Sequence, residues 1–141
     1  GQFANCPFPN TPLFTHVPPV DEKELTNYYA KAKVFVLPSR AEGLALVLAQ
    51  AVVSGLPVVY SKDTGGHDIK KLIEPKGDFM FEMESFSEES LKACIEKALM
   101  AYQNQPDGVP RNYTVPQKLE KLTWTAYGQR YETLFDKLIH E

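Results

Sequence analysis

PSRAEGLALVLAQAVVSGLPVV, residues 38–59, decides how the rest of the chain is read. Between Gly43 and Ser54 every side chain is aliphatic except Gln50. A helix that apolar has no solvent face, so it belongs beneath a sheet. Gly55 after it and Pro57 two residues later are ordinary signals for a helix that stops and a strand that starts. That strand is PVVYS, 57–61, and VFVLP, 34–38, precedes the helix. Both are apolar without polar alternation, as expected of strands covered on both faces in a parallel sheet.

Outward from this unit the alternation continues. Asp21 caps a helix in which Leu25, Tyr28, Tyr29 and Ala32 recur at helical spacing. LFTHV, 13–17, reads as a short strand stopped by Pro18 and Pro19, and residues 1–12 as an irregular arm. After Gly65 and Gly66 comes a short helix with Ile69, Leu72 and Ile73, then a strand over 79–81. Ser87 opens a longer helix carrying Leu91, Ile95, Ala98, Leu99 and Tyr102, and 104–116 is a loop rich in proline. The terminal helix places Trp124, Tyr127, Tyr131, Leu134, Phe135 and Leu138 on one stripe, a packing face. Strand and helix in regular alternation predict one α/β domain over 1–141, a Rossmann-like parallel sheet flanked by helices.

The totals narrow the function classes. With 141 residues and 43% hydrophobic content the chain is long enough for one core. A net charge of −3 with 15 Lys and Arg gives no electrostatic footprint for nucleic acid. No apolar run reaches the length of a membrane span. Cys6 and Cys94 lie far apart and match no metal spacing, which suits thiols in a reducing, cytoplasmic compartment.

In sheets of this kind ligands sit beyond the carboxyl ends of the strands, near helix N-termini. Two loops occupy such places. The first, Ser39-Arg40-Ala41-Glu42-Gly43, would turn backbone N–H groups and a positive helix end toward an anion, with Gly43 allowing close approach and Arg40 adding charge. The spacing of Ser39 and Glu42 equally fits a capping box that merely starts the helix. The second, 61–71, contains Gly65 and Gly66 as a cradle or as a plain turn, with His67 and Asp68 beside them. Gln50, eight residues beyond Glu42, needs a partner: a buried amide left unpaired costs about 1–3 kcal/mol. There is no Walker lysine loop, no GxSxG elbow and no cluster of His and Cys with metal spacing.

Strand VFVLPS, then EGLALVLAQAVVSGLPVV, then a Gly-Gly loop resembles the C-terminal half of retaining family 4 glycosyltransferases of the GT-B fold. HVPPVDEKELTNYYAKA and LTWTAYGQRYETLF are similar to the flanking segments, so the likeness runs from about Leu13 to Phe135. It implies a nucleotide-sugar donor, and an acceptor glycan or lipid held by an N-terminal domain outside this chain. The paired acidic residues of that family, with seven residues between them, fall on Glu42 and Gln50. By resemblance Glu42 is the catalytic residue that contacts the transferred sugar, and Gln50 faces the ribose. N–H groups near Leu44 and Ala45 hold the diphosphate, Pro38 and Ser39 rim the base pocket, and Gly65 and Gly66 border the donor. No metal or other cofactor is implied, because helix dipole and basic residues hold the diphosphate.

Three departures stand out: Gln50 replaces an acid, Leu44-Ala45 replaces the customary Phe-Gly, and the upstream basic residues that neutralise the diphosphate in that family are expected in strands outside this chain. The expectation is the donor-binding part of a hexosyltransferase, a fragment inactive alone, cytoplasmic or membrane-associated through its other half. The competing expectation is a binding or assembly module that keeps the fold without transfer. A GT-B epimerase or phosphorylase ranks last.

Overall fold

The structure, a computed structural model, describes residues 11–42, 46–73, 79–104 and 124–140. Its elements run α1 (Glu22–Lys31), β1 (Phe35–Leu37), α2 (Leu46–Val53), β2 (Val58–Tyr60), a 3₁₀ turn (Lys62–Thr64), α3 (Gly66–Ile73), β3 (Met80–Glu82), α4 (Glu88–Gln103) and α5 (Trp124–His140). Among the described residues the three strands form one parallel sheet in the order β1-β2-β3, each joined to the next through a helix. Phe35 pairs with Val58, and Val58 in turn with Met80, so all three strands end at the same rim. The expected α/β sheet flanked by helices is therefore the observed one.

Local signals explain most boundaries. The Asp21 carboxylate accepts the Glu24 N–H at 2.7 Å and starts α1. Ser87 does the same for α4, its hydroxyl accepting the Ser90 N–H at 3.2 Å. Helix α2 ends in a Schellman turn: the Gly55 N–H donates to the Val52 carbonyl and the Leu56 N–H to that of Ala51, at 3.0 and 3.1 Å. Gly55 takes the left-handed conformation this requires, with φ 73°. Pro57 then leads into β2, and its carbonyl accepts the Phe35 N–H at 2.9 Å.

The sheet is covered on both faces, which is why its strands are continuously apolar. Val58 and Tyr60 pack with Leu48, Ala51, Val52, Ile69 and Met80 beneath α1, α2 and α3. Val59 points the other way, onto Met83, Cys94 and Ala98. Tyr29 joins α1 to both neighbours: its ring meets Phe35 edge-on at 5.9 Å, and its hydroxyl donates to the Val47 carbonyl.

Two expectations differ from the structure. Residues 13–17 form no strand; Leu13 is 95% exposed, and the Phe14 N–H closes a turn onto the Thr11 carbonyl. The segment has its own N–H donors, but among the described residues no strand lies beside it to accept them. The second is α2, which has a solvent face after all: Leu46, Val47 and Val53 are exposed. Of the stripe expected on α5, Tyr131 and Phe135 are exposed, and the side chains of Trp124, Tyr127, Leu134 and Leu138 lie outside the described residues. Most of the predicted loop 104–116 lies outside the described residues, as does the irregular arm up to Asn10.

Candidate functional site

Because the strands share one register, three loops meet at the carboxyl rim: 38–42 after β1, 61–65 after β2 and 83–87 after β3. The middle loop organises the other two. Ser61 is buried and its hydroxyl donates to the Ser39 carbonyl, while the Ser61 N–H donates to the Leu37 carbonyl. Thr64, fully buried, donates its hydroxyl back to the Ser61 carbonyl at 2.6 Å. The Asp63 carbonyl accepts the Glu42 N–H at 2.8 Å, which fixes the backbone of Glu42 while its side chain stays exposed.

Two hollows open on either side of the Lys62–Asp63 turn. One is a cleft of about 430 Å³ that brings Ser39 and Arg40 against Lys62 and the 83–86 loop. Here the Arg40 guanidinium lies over the Phe86 ring, 4.8 Å from its centroid, a cation–π contact worth about 0.5–1 kcal/mol at an exposed site. The other hollow is wider and more open; Glu42, Lys62, Asp63, Gly65, His67 and Asp68 line it. Arg40 and Glu42, neighbours in the motif, thus face different hollows.

The two glycines of the second loop have different reasons to be there. Gly65 is left-handed, with φ 71°, and lines the Glu42 hollow. Gly66 is buried, and a Cβ there would overlap the ring of Tyr60. Its absent side chain makes room for the core rather than for a ligand. Gln50 sits half-buried within α2 and is not among the described residues lining either hollow. Gly43, Leu44 and Ala45 lie outside the described residues.

Sequence reading missed the third loop. No residue of the loop after the third strand is singled out in the sequence, yet Met83, Glu84, Ser85 and Phe86 wall the Arg40 cleft. The signal was available, since a third parallel strand must bring its following loop to the same rim. Behind that wall, burial and then the Glu82 carboxylate push the Tyr60 phenol far above its ordinary range. Its hydroxyl, fully buried, makes no hydrogen bond among the described residues. The His67 Nδ1 lies 4.0 Å from a Glu82 carboxylate oxygen, at the limit of an ion pair. Among the described residues no three His, Cys, Asp or Glu side chains converge to hold a metal ion, and no helix is long and apolar enough to cross a membrane.

Comparison with known proteins assigns this rim to a family. Residues 10–100 match the family described as Glycosyl transferases group 1. The chain is 32% identical over 120 residues to the sulfoquinovosyl transferase SQD2 of Arabidopsis thaliana, covering 81% of this chain and 22% of that protein. It is 41% identical over 53 residues to a D-inositol 3-phosphate glycosyltransferase of an Arthrobacter strain, 38% of this chain and 13% of the relative. An uncharacterized glycosyltransferase of Haemophilus influenzae is 35% identical over 66 residues, 46% of this chain and 18% of the relative. The chain therefore spans less than a quarter of each of these relatives. No solved structure matches it at comparable significance. With the match covering well over half of its length, the chain belongs to the group 1 glycosyltransferases.

Proposed function

We propose that the chain is the nucleotide-sugar-binding part of a retaining glycosyltransferase, the C-terminal half of a GT-B enzyme whose acceptor domain lies elsewhere in a longer protein. The observation that carries this reading is the fixed backbone of Glu42 beside an open hollow at the carboxyl rim of the sheet, bordered by Gly65. In the reaction the bond between the sugar's anomeric carbon and the diphosphate breaks, and a bond to an acceptor hydroxyl forms with the same anomeric configuration. Glu42 contacts the transferred hexose, N–H groups near Leu44 and Ala45 hold the diphosphate, and Gly43 allows its close approach. Ser39 and Arg40 contact the donor from the β1 side, Gln50 reaches the ribose, and Gly65 forms the border, with Gly66 behind it packed on Tyr60. No metal is required, since the helix dipole here and basic side chains supplied by the rest of the protein stabilise the leaving diphosphate.

The acceptor is a glycan or lipid held by the other half of the protein. Transfer requires closure of two domains around the donor, so the isolated chain binds a nucleotide weakly and transfers nothing. The protein is cytoplasmic, or membrane-associated through its other half. A second reading, a binding module without transfer, is favoured by Gln50, because a neutral amide bonds ribose hydroxyls less strongly than a carboxylate does.

Titration of the chain with UDP, GDP and ADP, followed by amide NMR shifts, tests the donor site. One nucleotide is expected to shift residues near Glu42, Gln50 and Gly65, even at millimolar concentration. Shifts from none of the three would overturn the reading. Transfer by the full-length protein then separates enzyme from module.

A further inference from the structure

Phe86 is an apolar ring in an acidic stretch; it is 53% exposed and belongs to neither core cluster. Its turn is nonetheless tied down. The Ser90 hydroxyl accepts the Glu84 and Ser85 N–H groups at 3.0 and 3.4 Å, and the Ser87 hydroxyl accepts the Ser90 N–H at 3.2 Å. What the ring meets is the Arg40 guanidinium, 4.8 Å from its centroid. Asp63 and Glu84 line the same cleft, yet among the described residues neither carboxylate comes within ion-pair distance of Arg40. We propose that Phe86 is a positioning residue for the donor site: it holds Arg40 away from Glu42 and so keeps the Glu42 carboxylate open to the transferred sugar. The inference rests on the donor-site reading and adds a residue to it.

Arg40 and Glu42 carry opposite charges two residues apart in one exposed loop, and nothing in the local sequence keeps them from pairing. An exposed ion pair and an exposed cation–π contact are of similar strength, so one ring is enough to decide where the guanidinium rests. The backbone supports the separation. The Ser61 hydroxyl donates to the Ser39 carbonyl and the Glu42 N–H to the Asp63 carbonyl, so the chain on both sides of Arg40 is tied to the loop after β2. Lys62 lines both hollows but makes no ion pair with Glu42 among the described residues. The Glu42 carboxylate therefore stands beside the open hollow without a cation among those residues, and an ionised acceptor of that kind makes the stronger hydrogen bonds to sugar hydroxyls.

The test compares the full-length protein with Phe86 variants by calorimetry at low salt, using UDP, GDP and ADP and the glucose conjugate of whichever binds. The quantity read is the diphosphate Kd divided by the sugar-nucleotide Kd, which isolates what the sugar contributes. Phe86→Leu, apolar but without a π face, should lower this ratio about two- to fivefold, whereas Phe86→Tyr should keep it. The loss should shrink as salt rises, because a freed Arg40 reaches Glu42 only through an exposed, screened pair. Arg40→Gln added to Phe86→Leu should restore the ratio, and in a Glu42→Ala background the ratio should no longer depend on Phe86. An unchanged ratio in Phe86→Leu, a loss that Arg40→Gln does not reverse, or a parent ratio near one would overturn the inference while nucleotide binding leaves the donor site standing. Absence of binding by all three diphosphates would remove the donor site and this inference together.

Discussion

Strand β2 and the turn that follows it are consecutive in the chain and obey different rules. Val58, Val59 and Tyr60 are completely buried, and volume and shape determine what fits there. Two residues later Lys62 and Asp63 are exposed, and what matters is where backbone carbonyls and charges point. The border runs between two adjacent glycines. Gly65 is set by a backbone angle that a side chain disfavours, and Gly66 by the Tyr60 ring that occupies the space a Cβ needs. A Gly-Gly pair that reads as one ligand-binding motif therefore answers to two unrelated constraints.

That contrast can be broken from the core side first. Leu48, wholly buried beneath the sheet, should lose about 2–5 kcal/mol of stability as Leu48→Ala in urea unfolding. Gly66→Ala, which forces Tyr60 to shift, should lose about 1–3 kcal/mol. Gly65→Ala should cost about 1 kcal/mol through its positive φ alone and disturb the rim more than the core. If the two glycine variants lost equal stability and equal ligand binding, the division between rim and core would fail.

Tyr60 sharpens the comparison by chemistry rather than volume. Tyr60→Phe removes a buried hydroxyl without a hydrogen bond among the described residues, and a gain of about 1 kcal/mol is expected at neutral pH. The phenol also has a pH signature. Burial, reinforced by Glu82, raises its pKa in the folded state above the unfolded value of 10.0. The unfolded chain then gives up its proton first, so stability falls as pH rises above about 10. Burial also raises Tyr29 and Cys94, so Tyr60→Phe should flatten this alkaline loss in part, read as urea midpoints at successive pH values.

The order of elements was legible in the sequence because its causes are local. Asp21 and Ser87 cap helices, Gly55 closes α2, and the apolar strands around them admit little else. The strand expected over 13–17 failed because pairing depends on a neighbour that no local pattern reveals. The site was legible in pieces. Glu42 and Gly65 were singled out and share a hollow, but the separation of Arg40 from Glu42 depends on how the Lys62–Asp63 turn packs between two loops. Phe86, hidden in an acidic stretch, shows its role only when β3 pairs with β2 and carries it to Arg40.

The most direct test of the account is the dissociation constant of a sugar nucleotide for the parent chain beside Glu42→Ala, Gln50→Ala and Gln50→Glu. Loss of the Glu42 carboxylate should weaken binding by about 1.5–3 kcal/mol, a factor of about 10 to 150, with the fold unchanged by circular dichroism. Gln50→Ala should weaken it by about 1 kcal/mol, whereas Gln50→Glu should tighten it. Unchanged affinity in all three folded variants would contradict the assignment of this rim as the donor site.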